Sequence, residues 1–303
     1  MVKKNLSNGA DHYNGSSAVD WIFGLAGDDV IFGFGNNDSL HGGLGNDVVD
    51  GGTGNDRLYG DRGNDRAYGG SGNDTIWGGL GNDTMTGSSG DDKMYGEDGH
   101  DRLDGGSGSN RLDGGKGNDY LSVDTGTGVR VVVSSEINTL LGGDGNDTAV
   151  GGNGYDTIYG GVGNDRLSGN NNEDALFGGT GNDWLNGGKH DDGLFGGSGI
   201  DTFVFKDGDG NDTIYDFDAG TEKIDLRGVT HSNSLVVGVF PAVNDFGDLD
   251  LTNTSEGVLV DYGTGTIHLL GVHSSELSGS NFLFAPGPVI SDFGNFNGGF
   301  LIL

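Results

Sequence analysis

The 303-residue chain has no cysteine, 3 prolines and 15 lysines plus arginines. Without cysteine there is no disulfide scaffold and no thiolate metal site. Three prolines cannot support a Gly-X-Y triple helix, although glycine reaches 66 residues, more than one in five. The few basic residues face 46 carboxylates, giving a formal charge of −31, which argues against nucleic acid and anionic membrane surfaces as partners. Long hydrophobic runs are missing too. No stretch approaches the roughly 20 apolar residues of a transmembrane helix. The opening MVKKNLSNGADHYNG lacks the apolar core of a secretory signal peptide, so an export signal is expected elsewhere. A hydrophobic fraction of 32% with this charge would suit a disordered chain. The order of the residues says otherwise.

From Gly42 the chain reads GGLGNDVVD, GGTGNDRLY, GDRGNDRAY, GGSGNDTIW, GGLGNDTMT. This nine-residue period runs unbroken through 12 units from Gly15 to Ser122 and through 7 more from Gly142 to Val204. Position one is always glycine, position eight is always apolar, and position six is aspartate in 18 of the 19 units, Asn110 being the exception. Position four is glycine in 15 units and is replaced by Ala18, Asn36, Asn172 and His190 in the others. Glycine at positions one and four is expected to supply the positive φ of a tight turn. Asparagine at position five, as in Asn46, Asn55 and Asn64, tolerates the left-handed region and turns readily. Positions seven to nine alternate out, in, out, as a short strand does. Two units then make an 18-residue coil of turn, strand, turn, strand. Coils stack as parallel strands about 4.8 Å apart, and the position-eight residues form a thin core between two sheets. A helix is excluded because glycine at this density costs about 1 kcal/mol per site.

Such a coil places every second aspartate on one edge. Asp20, Asp38, Asp56, Asp74 and Asp92 share one edge of the first block, and Asp29, Asp47, Asp65, Asp83, Asp101 and Asp119 share the other. In the second block the edges are Asp147, Asp165, Asp183, Asp201 and Asp156, Asp174, Asp192. Carboxylates stacked at strand spacing repel, and no basic residue recurs at a fixed turn position. Carboxylate oxygens with the carbonyls of glycine-rich turns form a hard donor set that selects calcium over magnesium. One ion per gap between neighbouring turns would amount to about 15 ions, or about +30, against the −31 of the chain.

These units resemble the GGxGxDxUx nonapeptides of the RTX (repeat-in-toxin) family, the hemolysin-type calcium-binding repeats, over residues 15–204. The resemblance implies an all-β fold, a calcium-loaded parallel β-roll. Its ligands would be the aspartates above and turn carbonyls such as those of Gly42, Gly45, Gly51, Gly54, Gly69, Gly72, Gly78, Gly81, Gly160, Gly163, Gly178 and Gly181. The Asn110 unit and the four units without the second glycine depart from the pattern and are expected to be weaker or empty sites. Residues 1–14 form a lead-in. The interruption from Val123 to Leu141, 19 residues containing VRVVVSSEINTLL, is expected to be one irregular coil in a single stack of ten to eleven, the alternative being two rolls. Residues 205–285 carry strand-like runs LVVGVF (235–240), GVLVDY (257–262), TIHLLGV (266–272) and NFLF (281–284), similar to the C-terminal β caps of RTX rolls. Asp207, Asp209 and Asn211 mimic the start of an EF-hand loop. Asp212 stands where that loop needs glycine, so a further roll turn is the expected structure. The tail 286–303 looks like the uncleaved C-terminal signal read by a type I secretion apparatus in bacteria. Extracellular modules of this kind bind calcium at about 10⁻⁴–10⁻³ M, so the chain is expected to fold only outside the cell.

No enzyme constellation emerges. None of the seven histidines lies in HExxH, and GxSxG does not occur. The leading expectation is a secreted, non-catalytic calcium-binding protein with an interaction or structural role, meeting an extracellular polysaccharide or a host or cell-surface partner. The alternative is a polysaccharide-binding accessory module resembling the repeat modules of alginate epimerases. Position nine supports the alternative in part, with Phe23, His41, Tyr59, Trp77 and Tyr95 on one face and Tyr159, Phe177 and Phe195 on a face of the second block. Such ladders suit either cross-strand stacking or a glycan platform. Arg57, Lys93 and Arg111 at position seven flank the first of them.

Overall fold

The structure, a computed structural model, describes residues 2–123, 137–229 and 246–285. The strand-like runs 129–133 and 235–240 and the tail 286–303 lie outside the described residues.

The nine-residue period becomes a parallel β-roll of about twelve turns. Successive strands alternate between two sheets. One begins Val2–Asn5, Asp20–Phe23, Ser39–Leu44, and the other begins His12–Ser16, Val30–Phe34, Val48–Thr53. Within a sheet, partners lie one coil apart, as in Leu40 beside Leu58 beside Ile76. Position eight points inward throughout. Ile22, Leu40, Leu58, Leu103, Ile158, Leu167 and Leu194 are all fully buried, and together with the other position-eight residues they form one continuous core.

Glycine and asparagine divide the turn differently from the expectation. Positive φ falls on positions two and four, at 113° and 128° in Gly43 and Gly45 and at 94° and 139° in Gly52 and Gly54. Position one is not left-handed. It is buried, facing inward beside the core residue, and glycine is required there for space. Position-five asparagine is not left-handed either. Its Oδ1 accepts the backbone N–H of position five in the next coil, as from Asn64 to Asn46 at 2.7 Å and from Asn82 to Asn64 at 2.7 Å. Where glycine is missing at position four, Asn36, Asn172 and His190 take φ of 71°, 74° and 81°.

The interruption is also not a coil of its own. Leu112 pairs with Leu140, and Leu121 with Ala149, so the offset between neighbouring coils rises from 18 to 28 residues once and then returns. Ile137–Asp144 is a regular strand of the first sheet, with Leu140 in the core. The ten extra residues enter one turn of a continuous stack. As a result, the two aromatic series belong to one column of the first sheet, joined through Asp113 and Leu141.

At the C-terminal end the strands Thr266–Leu270, Gly257–Asp261 and Asp250–Asn253 form an antiparallel meander laid against Asn211–Ile214. Phe282–Leu283 covers Lys223–Gly228 of the second sheet. These additions cover the edges a solenoid otherwise leaves open. The loop beginning at Asp207 leads into the roll strand Asn211–Ile214, not into a helix.

Candidate metal centres

Each position-six aspartate hangs from its neighbour. The N–H of Asp20 donates to Oδ1 of Asp38 at 2.8 Å, Asp38 to Asp56 at 2.7 Å and Asp56 to Asp74 at 2.7 Å. On the other edge Asp29 donates to Asp47, Asp47 to Asp65 and Asp65 to Asp83, at 2.7, 2.7 and 2.8 Å. The aspartate side chain thus accepts from the preceding coil, whereas the asparagine side chain accepts from the following one. The interruption leaves this second edge intact, because Asp119 donates to Oδ1 of Asp147 at 2.7 Å. The edges read separately in the two blocks therefore form two continuous ladders.

One oxygen of each carboxylate remains. Oδ2 of Asp29, Asp38, Asp47, Asp56, Asp65 and Asp74 is buried with no hydrogen-bond partner, and so is that of Asp83, Asp92, Asp101, Asp119, Asp147, Asp165, Asp174, Asp183, Asp192 and Asp201. In Asp20 the orphan is Oδ1, since Oδ2 accepts from Ser16. Position-one glycine opens the space these oxygens face. A Cβ on Gly51 would lie 2.4 Å from Asp56 Oδ2 and 2.9 Å from the carbonyl oxygen of Gly69 in the next coil. On Gly160 it would lie 2.4 Å from Asp165 Oδ2 and 2.5 Å from Gly178 O. The empty volume where a side chain would sit is lined by a carboxylate oxygen and a carbonyl oxygen.

The asparagine at position six shows which other carbonyls turn toward this point. Nδ2 of Asn110 donates to the carbonyls of Gly106 at 3.4 Å and Gly108 at 3.2 Å. Positions two and four thus face the position-six side chain, and the position-two carbonyl was not among the expected ligands. Among the described residues no three carboxylate or imidazole side chains converge, so backbone carbonyls would have to supply most of any coordination shell. Burial pushes Asp65, Asp74, Asp101 and Asp147 up to about 7, and Asp38, Asp47 and Asp83 up to about 6. The N–H donated to each carboxylate opposes this rise, and the neighbouring carboxylates of several of them add to it.

The RTX calcium-binding nonapeptide repeat matches residues 14–49, 50–85, 86–121, 95–128, 141–175 and 168–203, more than half of the chain. The chain belongs to this RTX family. Two solved structures are similar. The AlgE6R3 subunit of the Azotobacter vinelandii mannuronan C5-epimerase is 25% identical with a TM-score of 0.28, over 58% of this chain and 94% of that one. The extracellular lipase LipA from Serratia marcescens is 19% identical with a TM-score of 0.25, over 89% of this chain. The chain spans 40% of the lipase's length. No curated protein matches significantly.

For an RTX roll the donor set fits calcium. It consists of one buried unpartnered carboxylate oxygen in every unit but those of Asn110 and Asp156, carbonyl oxygens around it, and no nitrogen or sulfur. The ladders also extend past the repeats that the sequence displays. Asp11 donates to Asp29 Oδ1 at 2.7 Å, and its own carboxylate accepts from Ser7. Asp192 donates to Asp212 Oδ1 at 2.9 Å, and Asp212 Oδ2 is again buried and unpartnered. Lys223 pairs with Thr202, which sets the buried Glu222 beside Asp201. Asn138 takes position six in the unit after the ten extra residues. The period hides these residues because Leu6 replaces the first glycine and because extra residues shift the later rungs.

Proposed function

We propose that the protein is a secreted calcium-binding β-roll that folds when it meets extracellular calcium and acts as a non-catalytic interaction or structural protein. The observation that carries this reading is the pair of ladders of buried, unpartnered aspartate oxygens facing carbonyl-lined space. A buried carboxylate without a partner is costly. Here the cost recurs at nearly every rung, and among the described residues no lysine or arginine forms an ion pair with these aspartates, although His100 draws Asp119 down. The ligands assigned are the position-six aspartates from Asp20 to Asp201 except Asp156, whose two oxygens both accept from protein donors, with the carbonyls of position-one glycines such as Gly42, Gly51, Gly69, Gly78, Gly160 and Gly178 and of position-four glycines such as Gly45, Gly54, Gly72, Gly81, Gly163 and Gly181. Bound calcium neutralises facing carboxylates, so its binding energy becomes folding energy. In a calcium-poor cytosol the chain would stay unfolded and able to pass a type I secretion apparatus. Export would then be completed by folding outside. Far-UV circular dichroism tests this. A disordered spectrum in excess chelator and a β spectrum in millimolar calcium are expected; a β spectrum in chelator at neutral pH would refute the reading.

A second reading, an accessory surface for an acidic polysaccharide, is favoured by Arg57 and Lys93. They stand on the outer face of the first sheet, beside the aromatic column, with no carboxylate ion-pair partner among the described residues. Retention of the calcium-loaded protein on a uronate polysaccharide, lost in Arg57→Gln/Lys93→Gln, would support it. Equal retention of the variant would not.

A further inference from the structure

The two ladders are not equivalent. One carries a carboxylate at every rung from Asp29 to Asp201. On the other, two consecutive rungs between Asp92 and Asp156 hold Asn110 and Asn138, each 2% exposed. The ladder itself continues: Asp92 donates to Oδ1 of Asn110 at 3.0 Å, and Asn110 donates to Oδ1 of Asn138 at 2.9 Å. What differs is the second atom of the side chain. In aspartate it is an acceptor without a donor. In Asn110 it is a donor, spent on the carbonyls of Gly106 and Gly108. In Asn138 it donates to Oδ1 of Asp156 at 2.7 Å. The far oxygen of Asp156 accepts the N–H of Gly152 at 2.7 Å. Asp156 is therefore the one position-six aspartate between Asp20 and Asp201 whose two oxygens both have protein donors.

We propose that the rungs from Asn110 to Asp156 form an ion-free seam in which amide and backbone N–H groups occupy the place that calcium takes elsewhere. This rests on the calcium reading above. An N–H donor aimed at the carbonyls would repel a cation, and it already satisfies them. The ten extra residues enter between Val123 and Ile137, in the turn that leads to Asn138. An insertion in any ion-binding turn would displace ligand carbonyls. In the seam no ion depends on the turn, so the insertion is tolerated there. This edge thus carries two separate ion ladders, while the opposite edge runs through.

Counting bound calcium by equilibrium dialysis on the full chain tests the seam. Asn110→Ala should leave the number of bound ions unchanged, whereas Asp74→Ala on the same edge should lower it. Asn110→Asp restores an acceptor facing Gly106 and Gly108 and should add one ion. Loss of an ion in Asn110→Ala overturns the seam, as does an unchanged count in an Asn110→Asp protein that folds in calcium. If Asn110→Asp does not fold, the Asn110→Ala count decides. A parent protein that binds no calcium would overturn the calcium reading itself, a result distinct from either variant outcome.

Discussion

Two glycines of one turn are needed for different reasons, and substitution should separate them. Gly51 at position one is needed because a Cβ would collide with Asp56 Oδ2, at 2.4 Å. Gly54 at position four has φ of 139°, which an L side chain adopts only under strain. Gly51→Ala fills the proposed ligand space and is expected to lower the calcium count by about one and to destabilise the loaded roll by about 1–3 kcal/mol, as overpacking does. Titration calorimetry with calcium-loaded thermal melts checks both quantities. An alanine at Gly51 that leaves the ion count unchanged would place the ion elsewhere. Asn64 offers the contrast. It is exposed, and among the described residues its Oδ1 accepts only the N–H of Asn82. Asn64→Ala should cost about 1 kcal/mol with the ion count unchanged.

At the scale of strands and ladders, the aromatic column shows how far pattern reaches. The position-nine rings stack face to face: His41 on Tyr59 at 4.1 Å and 3°, Tyr59 on Trp77 at 4.6 Å and 2°, and Phe195 on Tyr215 at 4.4 Å and 5°. Rings stacked along the roll use their faces on one another and turn their edges to solvent. A glycan that stacks on ring faces finds few available, so the column serves first as cross-strand stabilisation. Trp77→Ser removes the contacts of Trp77 with Tyr59 and with Tyr95 and is expected to lower the stability of the calcium-loaded protein by about 1–3 kcal/mol, at roughly 0.5–1.5 kcal/mol per pair. Unchanged melting with loss of glycan retention would instead favour a platform. The strands, the 18-residue offset and every core residue from Ile22 to Phe203 at position eight of a repeat were legible because the period fixes which side chains share a face. Which oxygen remains unpartnered was not legible, since period says nothing about hydrogen-bond direction. Nor were the ladder positions of Asp212, in the expected roll turn, and of Glu222, because the offset between coils grows to 20 residues at Asp192–Asp212 and to 21 at Thr202–Lys223. The length of the interruption was misleading. Its 19 residues suggested a coil, but the last five, Ile137 to Leu141, already belong to a regular strand.

Across the whole molecule the ladders make stability depend on pH with a sign set by calcium. Without the ion, the folded roll holds most of the ladder carboxyl groups it raises strongly at about 6 to 7, as in Asp38 and Asp83 at the lower end and Asp65, Asp74, Asp101, Asp147 and Asp183 at the upper, with Asp174 and Asp212 higher still at about 9. The unfolded chain holds them near 3.9. Between these values the folded state binds more protons than the unfolded one. The contribution is therefore fully present below about pH 4 and lost as pH rises through 6 to 7 for most of them and through about 9 for Asp174 and Asp212. With calcium the dependence reverses, because ion binding requires the carboxylates to be deprotonated. In chelator, lowering the pH from 7.5 toward 5, still above the isoelectric point of 4.1, should increase the β signal of the ion-free chain. In millimolar calcium the same change should lower the melting temperature. Circular dichroism melts of dilute protein across that range, with and without chelator, measure both slopes. Slopes of the same sign in the two series would show that the buried aspartates are not where the ions bind.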